Sequence, residues 1–210
     1  MDPVKLLLDT IPSEDGIAKE PATFPVQIDL KDVVHGNTAL HIAASGGFLP
    51  TISALMARKA PCNAPNQLGN TPLHVACSTN QTLAARELII SGADIKALNK
   101  RGSTTLLFAI YGLPEDSVGL VSMLIEGGVD VNATDSNGST ALHAAASKGY
   151  LKVAEKLLDS GAKVTLKDVA GKDAQHYARV RGFDEVFHAI NAVPRDEVHE
   201  HKMVEIINAN

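Results

Sequence analysis

GNTPLHVA, Gly69 to Ala76, has two near copies in the chain, GNTALHIA from Gly36 and GSTALHAA from Gly138. Each octet opens on glycine, sets a threonine two residues later, and puts a histidine and then an alanine behind it. Looser versions start at Gly102 and Gly171, so five glycines in chain order are separated by 33, 33, 36 and 33 residues. A fixed period of that length means one supersecondary unit copied along the chain, each copy unable to bury its own apolar face alone.

Within a unit the apolar residues follow a helical period, first over a short stretch such as 72–78 and then over a longer one such as 82–90. Thr71 is placed to cap the first helix and Pro72 to occupy its first position, where a missing N–H costs nothing. Thr38, Thr104 and Thr140 repeat the cap. The second helix carries apolar pairs at one register: Leu55 and Met56, Leu88 and Ile89, Leu124 and Ile125, Leu157 and Leu158. Gly92, Gly128 and Gly161 follow as left-handed C-terminal caps. The polar stretch from Asp130 to Asn137 is rich in turn formers and reads as a projecting hairpin loop.

These octets, together with the junctions Ser91-Gly92-Ala93-Asp94 and Gly127-Gly128-Val129-Asp130, resemble the ankyrin repeat family over residues 29–193. The resemblance implies an all-α solenoid of stacked helix pairs with projecting hairpin loops. Five repeats are expected within 26–193, at about 26–62, 63–95, 96–131, 132–164 and 165–193. An N-terminal helix and irregular chain over 1–25 precede them, and a tail or capping helix over 194–210 follows.

The histidines at His41, His74, His143 and His176 stand five residues after their glycines, which raises the question of a ligand ladder. Packed helices lie about 8–10 Å apart, whereas zinc needs each ligand at about 2.0–2.1 Å. One ion cannot collect them. The family resemblance makes this histidine structural, tied to the hairpin loop, and a neutral imidazole can donate and accept at once. Unit three puts Leu107 in the slot, so its loop must be secured differently. His199-Glu200-His201 lacks the spacing of a zinc protease helix, and the chain has no phosphate loop, paired-cysteine motif or nucleophile elbow. Neither a catalytic residue, a metal nor a cofactor is expected.

Composition narrows the class. With 45% hydrophobic and 20% charged residues the chain reads as globular, and a formal net charge of -5 with scattered basic residues disfavours nucleic acid. No apolar run is long enough to span a bilayer. Two cysteines, Cys62 and Cys77, suit a reducing compartment, so cytosol or nucleus is the expected location. The opening Met1-Asp2-Pro3-Val4-Lys5 does not read as a signal peptide.

Departures from the repeat carry further expectations. Lys59 stands where other units have the capping glycine, which predicts a distorted or mobile first loop. Asn80 replaces an inter-helix glycine and should accept the left-handed conformation. The extra residues of unit three fall around Leu113-Pro114-Glu115, where they are expected to lengthen a surface turn without disturbing the stack. Gln175 in the leucine slot marks unit five as a polar capping repeat.

The resemblance implies a monomeric, non-catalytic adaptor, inhibitor or scaffold that binds another protein through hairpin tips and the concave face of the inner helices. By register the tips are Gln67, Leu68 and Asn70, then Lys100, Arg101 and Ser103, then Ser136, Asn137 and Ser139, then Val169 and Lys172. The inner helices add Tyr111, Ser147, Lys148 and Arg181. Arg101 and Tyr111 are the expected anchors, since arginine and aromatic residues dominate interface energetics. A regulatory repeat segment of a larger enzyme or multidomain protein is the alternative; a small-molecule pocket is opposed by 4% aromatic content without tryptophan. Asn132, in an Asp-Val-Asn context eight residues after Leu124, resembles sites of asparaginyl hydroxylation in ankyrin repeats.

Overall fold

The computed structural model describes residues 29–193. The expected N-terminal helix, the C-terminal tail and His199 to His201 lie outside the described residues. Ten helices form five antiparallel pairs among the described residues: α1 (Ala39–Gly46) with α2 (Leu49–Ala57), α3 (Pro72–Ser78) with α4 (Thr82–Ile90), α5 (Thr105–Gly112) with α6 (Gly119–Glu126), α7 (Ala141–Lys148) with α8 (Leu151–Asp159), and α9 (Ala174–Arg181) with α10 (Asp184–Asn191). The odd-numbered inner helices stack on one another, and so do the outer ones except at α6 and α8.

Local chemistry explains the boundaries. Thr71, Thr104 and Thr140 accept the N–H of the third helical residue, and Asp173 does the same for α9. The core is a single ladder: Leu40, Leu73, Leu106 and Leu142 from the inner helices meet Leu55, Leu88, Leu124 and Leu157 from the outer ones, all essentially inaccessible. Alanines at Ala43, Ala76, Ala109 and Ala145 let inner helices approach closely. At Gly112 that approach is extreme, because a Cβ there would lie 2.3 Å from the Ser78 carbonyl oxygen.

The hairpins are joined edge to edge. Antiparallel bridges pair Lys31 with Thr38, Leu98 with Thr104 and Lys167 with Asp173. Each tip then donates to the one before: Gln67 N to His35 O at 2.9 Å, Lys100 N to Leu68 O at 3.1 Å, Ser136 N to Arg101 O at 2.7 Å and Val169 N to Asn137 O at 2.9 Å. Backbone pairing across units makes the tips one continuous ridge.

Two expectations fail. The loop after Lys59 is regular: Lys59 takes a φ of 61°, with its N–H on Met56 O and the next N–H on Leu55 O, the same bonds that Gly92 and Ala93 make. The left-handed lysine costs about 1–2 kcal/mol, and two backbone bonds beside the buried Leu55 hold it there. Asn80 adopts a φ of 55°, as read.

The insertion in unit three does disturb the stack. Leu113 is only 3% exposed. Its carbonyl accepts the Tyr150 hydroxyl at 2.7 Å, and Asp116 receives Lys152 N at 2.8 Å and Val153 N at 3.0 Å. The inserted segment therefore reaches beneath unit four and caps α8, whose own N-cap residue Tyr150 supplies no side-chain cap. Contact between α5 and α7 is sparser than at the other inner-helix junctions, and α6 and α8 barely touch. The segment between α5 and α6 occupies the opening.

Candidate functional site

Hairpin tips begin with an Asx turn. Asn66 Oδ1 accepts Leu68 N and Asn70 N, Asn99 Oδ1 accepts Arg101 N and Ser103 N, Asp135 Oδ1 accepts Asn137 N and Ser139 N, and Asp168 Oδ1 accepts Ala170 N and Lys172 N. One side chain thus ties two backbone donors and throws the two residues at the tip outward. Gln67, Leu68, Lys100, Arg101, Ser136, Asn137, Val169 and Lys172 are all exposed, with Leu68 at 61% and Val169 at 78%. Ser103 and Ser139 are half-buried.

Asn70 does not belong to that surface. It is 8% exposed, its Oδ1 accepts from Asn99 and its carbonyl accepts the His41 ring. Its register position turns inward, between adjacent hairpins, where an amide can bridge them.

The histidines explain how the ridge is fastened. In His41, His74 and His143, Nδ1 receives the N–H of the capping threonine at 3.1–3.2 Å and lies 2.8–2.9 Å from its hydroxyl. Nε2 then donates to a carbonyl 29 residues on: Asn70 O at 2.9 Å, Ser103 O at 3.2 Å and Lys172 O at 3.1 Å. Both nitrogens are occupied by the chain itself, and the tautomer is set by the threonine N–H, which needs an acceptor at Nδ1. Burial holds the imidazoles of His41 and His74 below the ordinary histidine range, against the opposing pull of the carbonyls they face. His176 is half-buried and lies edge-on to Tyr177, with ring centroids 5.9 Å apart. Unit three, lacking the histidine, presents Phe108 edge-on to His74 at 5.1 Å.

On the inner helices Tyr111 is 51% exposed, and Lys148 and Arg181 are exposed. Ser147 is half-buried and its hydroxyl is spent on Ala144 O at 2.9 Å. The register reading misses Tyr177, whose hydroxyl donates to Asp168 Oδ2. That bond raises the phenol and lowers the Asp168 carboxyl. Tyr111 is raised by partial burial and then by the Asp135 carboxylate. Tyr177 also lies edge-on to the His143 ring of unit four, with centroids 6.1 Å apart. Tyr177 and Phe108 share the position one residue after the histidine slot, a signal available in the sequence.

Asn132 binds forward as well: its Nδ2 donates to Gly161 O at 3.0 Å and its Oδ1 accepts Lys163 N at 2.8 Å. Asn63 makes the same pair with Gly92 O and Asp94 N. Both are clamps between successive loops.

With the geometry of five capped helix pairs and a hydrogen-bonded hairpin ridge in place, comparison with known proteins is decisive. The pattern described as ankyrin repeats (3 copies) matches residues 3–99 and 79–168. The chain belongs to the ankyrin repeat family. It is 31% identical over 180 residues to the B-cell lymphoma 3 protein homolog of Mus musculus, covering 83% of this chain and 39% of that protein. Identity to the nuclear factor NF-kappa-B p105 subunit of Gallus gallus is 33% over 133 residues, 61% of this chain and 13% of that one. Identity to the inactive serine/threonine-protein kinase TEX14 of Bos taurus is 37% over 89 residues, 42% of this chain and 6% of that one. The matched region thus spans well under half the length of each of these relatives. No described helix is long and apolar enough to cross a membrane.

Proposed function

We propose that this ankyrin repeat chain is a non-catalytic interaction module, an adaptor, inhibitor or scaffold acting in the cytosol or nucleus as a monomer. It holds one protein partner against the hairpin ridge and the inner-helix face. The observation that carries this reading is the ridge itself. Tips that would be mobile as isolated loops are fixed by backbone bonds from unit to unit, yet they display Leu68, Lys100, Arg101 and Val169 to solvent. A rigid, exposed, chemically mixed edge loses little entropy when a partner binds. His41, His74 and His143 have both ring nitrogens committed to fastening that edge, which supports a structural reading of the histidine slot.

A second reading, a repeat segment working within a larger protein, is favoured by the small share of each relative that the chain covers, 6–39% in the three compared. Both readings use the same surface. Arg101→Glu and Tyr111→Ala should each weaken the complex with a partner captured from the cells of origin by about tenfold or more, with unchanged circular dichroism. Lys156→Ala, on the outer helix α8, should change affinity less than twofold. Equal losses from the two faces would contradict the assignment.

A further inference from the structure

The chain as a whole is acidic, with a formal net charge of -5, but its charges are sorted between faces. The five inner helices, ALHIAASG, PLHVACS, TLLFAIYG, ALHAAASK and AQHYARVR, contain no aspartate or glutamate. Their only charges at neutral pH are Lys148, Arg179 and Arg181. The outer helices carry Glu87, Glu126, Glu155, Asp159, Asp184 and Glu185 against Arg86, Lys152 and Lys156, a net negative balance.

Two carboxylates near the inner face are fixed in place by the chain's own donors. Asp135 Oδ1 accepts two backbone N–H groups, and Asp168 accepts two more and the Tyr177 hydroxyl. Arg101 at the ridge, and Lys148 and Arg181 at the ends of α7 and α9, are exposed and make no ion pair among the described residues. Asp135 and Asp168 keep their charge, but Arg101, Lys148 and Arg181, with Lys100 and Lys172 exposed at the tips, outnumber them, which makes the surface complementary to carboxylates supplied from outside.

Shape adds a second element. Tyr111 on α5 and Tyr177 on α9 stand on either side of unit four, where the buried His143 ring lies edge-on to Tyr177 with centroids 6.1 Å apart and the register between the two phenols is held by the buried Ala144 and the small Ser147. Two phenols flanking a small-residue step suit an apolar side chain. From the tip of unit three to the inner helix of unit five is two repeat spacings, about 20 Å at about 10 Å each. An extended chain covers that in about six residues.

Resting on the concave-face reading above, we propose that the occupant is an acidic linear segment of a partner protein. About six extended residues lie across units three to five, with one apolar side chain between Tyr111 and Tyr177 and carboxylates on Arg101, Lys148 and Arg181. A peptide is favoured over nucleic acid because the cationic strip is short and the rest of the chain would repel a long polyanion.

The test selects ligands from a random 12-residue display library on the full chain, then measures the dominant synthetic peptide by fluorescence polarisation. Expected are sequences enriched in Asp and Glu with at least one large apolar residue. Affinity should fall about tenfold in each of Lys148→Glu, Arg181→Glu and Tyr111→Ala, and by at least tenfold between 50 and 500 mM salt. Lys156→Glu, the same charge change on the outer face, should leave binding within twofold. Basic or uncharged peptides that still depend on Tyr111 and Arg181 overturn the acidic chemistry while the concave face stands. Peptides insensitive to the inner-face changes and lost in Lys156→Glu sink both. No enrichment, or a single-stranded oligonucleotide competing at equal concentration, overturns the linear acidic segment.

Discussion

Replacing Asp116 by alanine isolates the unexpected contact between units three and four. In the native chain the carboxylate receives Lys152 N at 2.8 Å and Val153 N at 3.0 Å, two of the otherwise unpaired donors at the start of α8. Loss of a side-chain cap costs about 0.5–2 kcal/mol, and the charge at a helix N-terminus adds about 0.3–1 kcal/mol. The half-buried position of Asp116 keeps water from fully replacing it, so about 1.5 kcal/mol is expected. For a domain of this size that lowers Tm by about 3–6 °C. Urea unfolding followed by circular dichroism gives the equilibrium value. Amide exchange at Lys152 and Val153 reports the local one, and both should accelerate while amides in α4 do not. Asp116→Asn keeps an acceptor but drops the charge, and should lose less than half as much. A loss below about 0.3 kcal/mol for Asp116→Ala, with unchanged exchange in α8, would refute the capping role.

Three further outcomes follow from the same geometry. Deleting Leu113, Pro114 and Glu115 restores a 33-residue period yet removes a buried leucine and the acceptor of Tyr150, so it should cost about 3 kcal/mol or more; a deletion variant as stable as the parent in urea counts against the wedge. His41 and His74 have folded pKa values lowered by burial. The unfolded chain therefore binds more protons, and the stability they contribute is complete above about pH 6.5 and falls as pH drops, by at most about 2.7 kcal/mol per pH unit for the two together. A urea midpoint flat between pH 7 and 5 in the parent, or equally sloped after His74→Ala, would contradict this. Asn132 is proposed as a hydroxylation site that becomes reachable only when its hairpin opens, and mass spectrometry of protein from its native cells, with an active hydroxylase present, rejects this if its peptide gains no oxygen.

Much of the architecture was legible because the repeat states each local decision several times. The start of α3 at Pro72 and the end of α4 at Ile90 follow from a threonine cap, a proline at the first position and a glycine just past the end. Lys59 departs from the expectation because a one-residue rule counts a single conformational penalty, whereas the chain also weighs two backbone bonds and the burial of Leu55. At the candidate site register gives the tip positions, but not the direction in which a short amide such as Asn70 turns. Tyr177 was readable: it repeats the place of Phe108, one residue behind the histidine slot.

What no local pattern could supply is the reason unit three breaks two rules at once. Leu107 removes the ring that would have donated to the hairpin of unit four, and the added residues appear on the opposite end of the same helix. Elsewhere the bond between neighbours is a histidine reaching 29 residues ahead; here it is Asp116 and the Leu113 carbonyl reaching 36 and 37 residues ahead to α8 and Tyr150. The backbone bond from Ser136 N to Arg101 O still joins the ridge, but the side-chain tie lies on the turn side of the stack, and contact between α5 and α7 is sparser there. Tyr111 stands before that junction, while Lys148, Tyr177 and Arg181 stand beyond it. The spacing of the proposed docking face is thus set by the segment between α5 and α6, although none of its residues lies on that face.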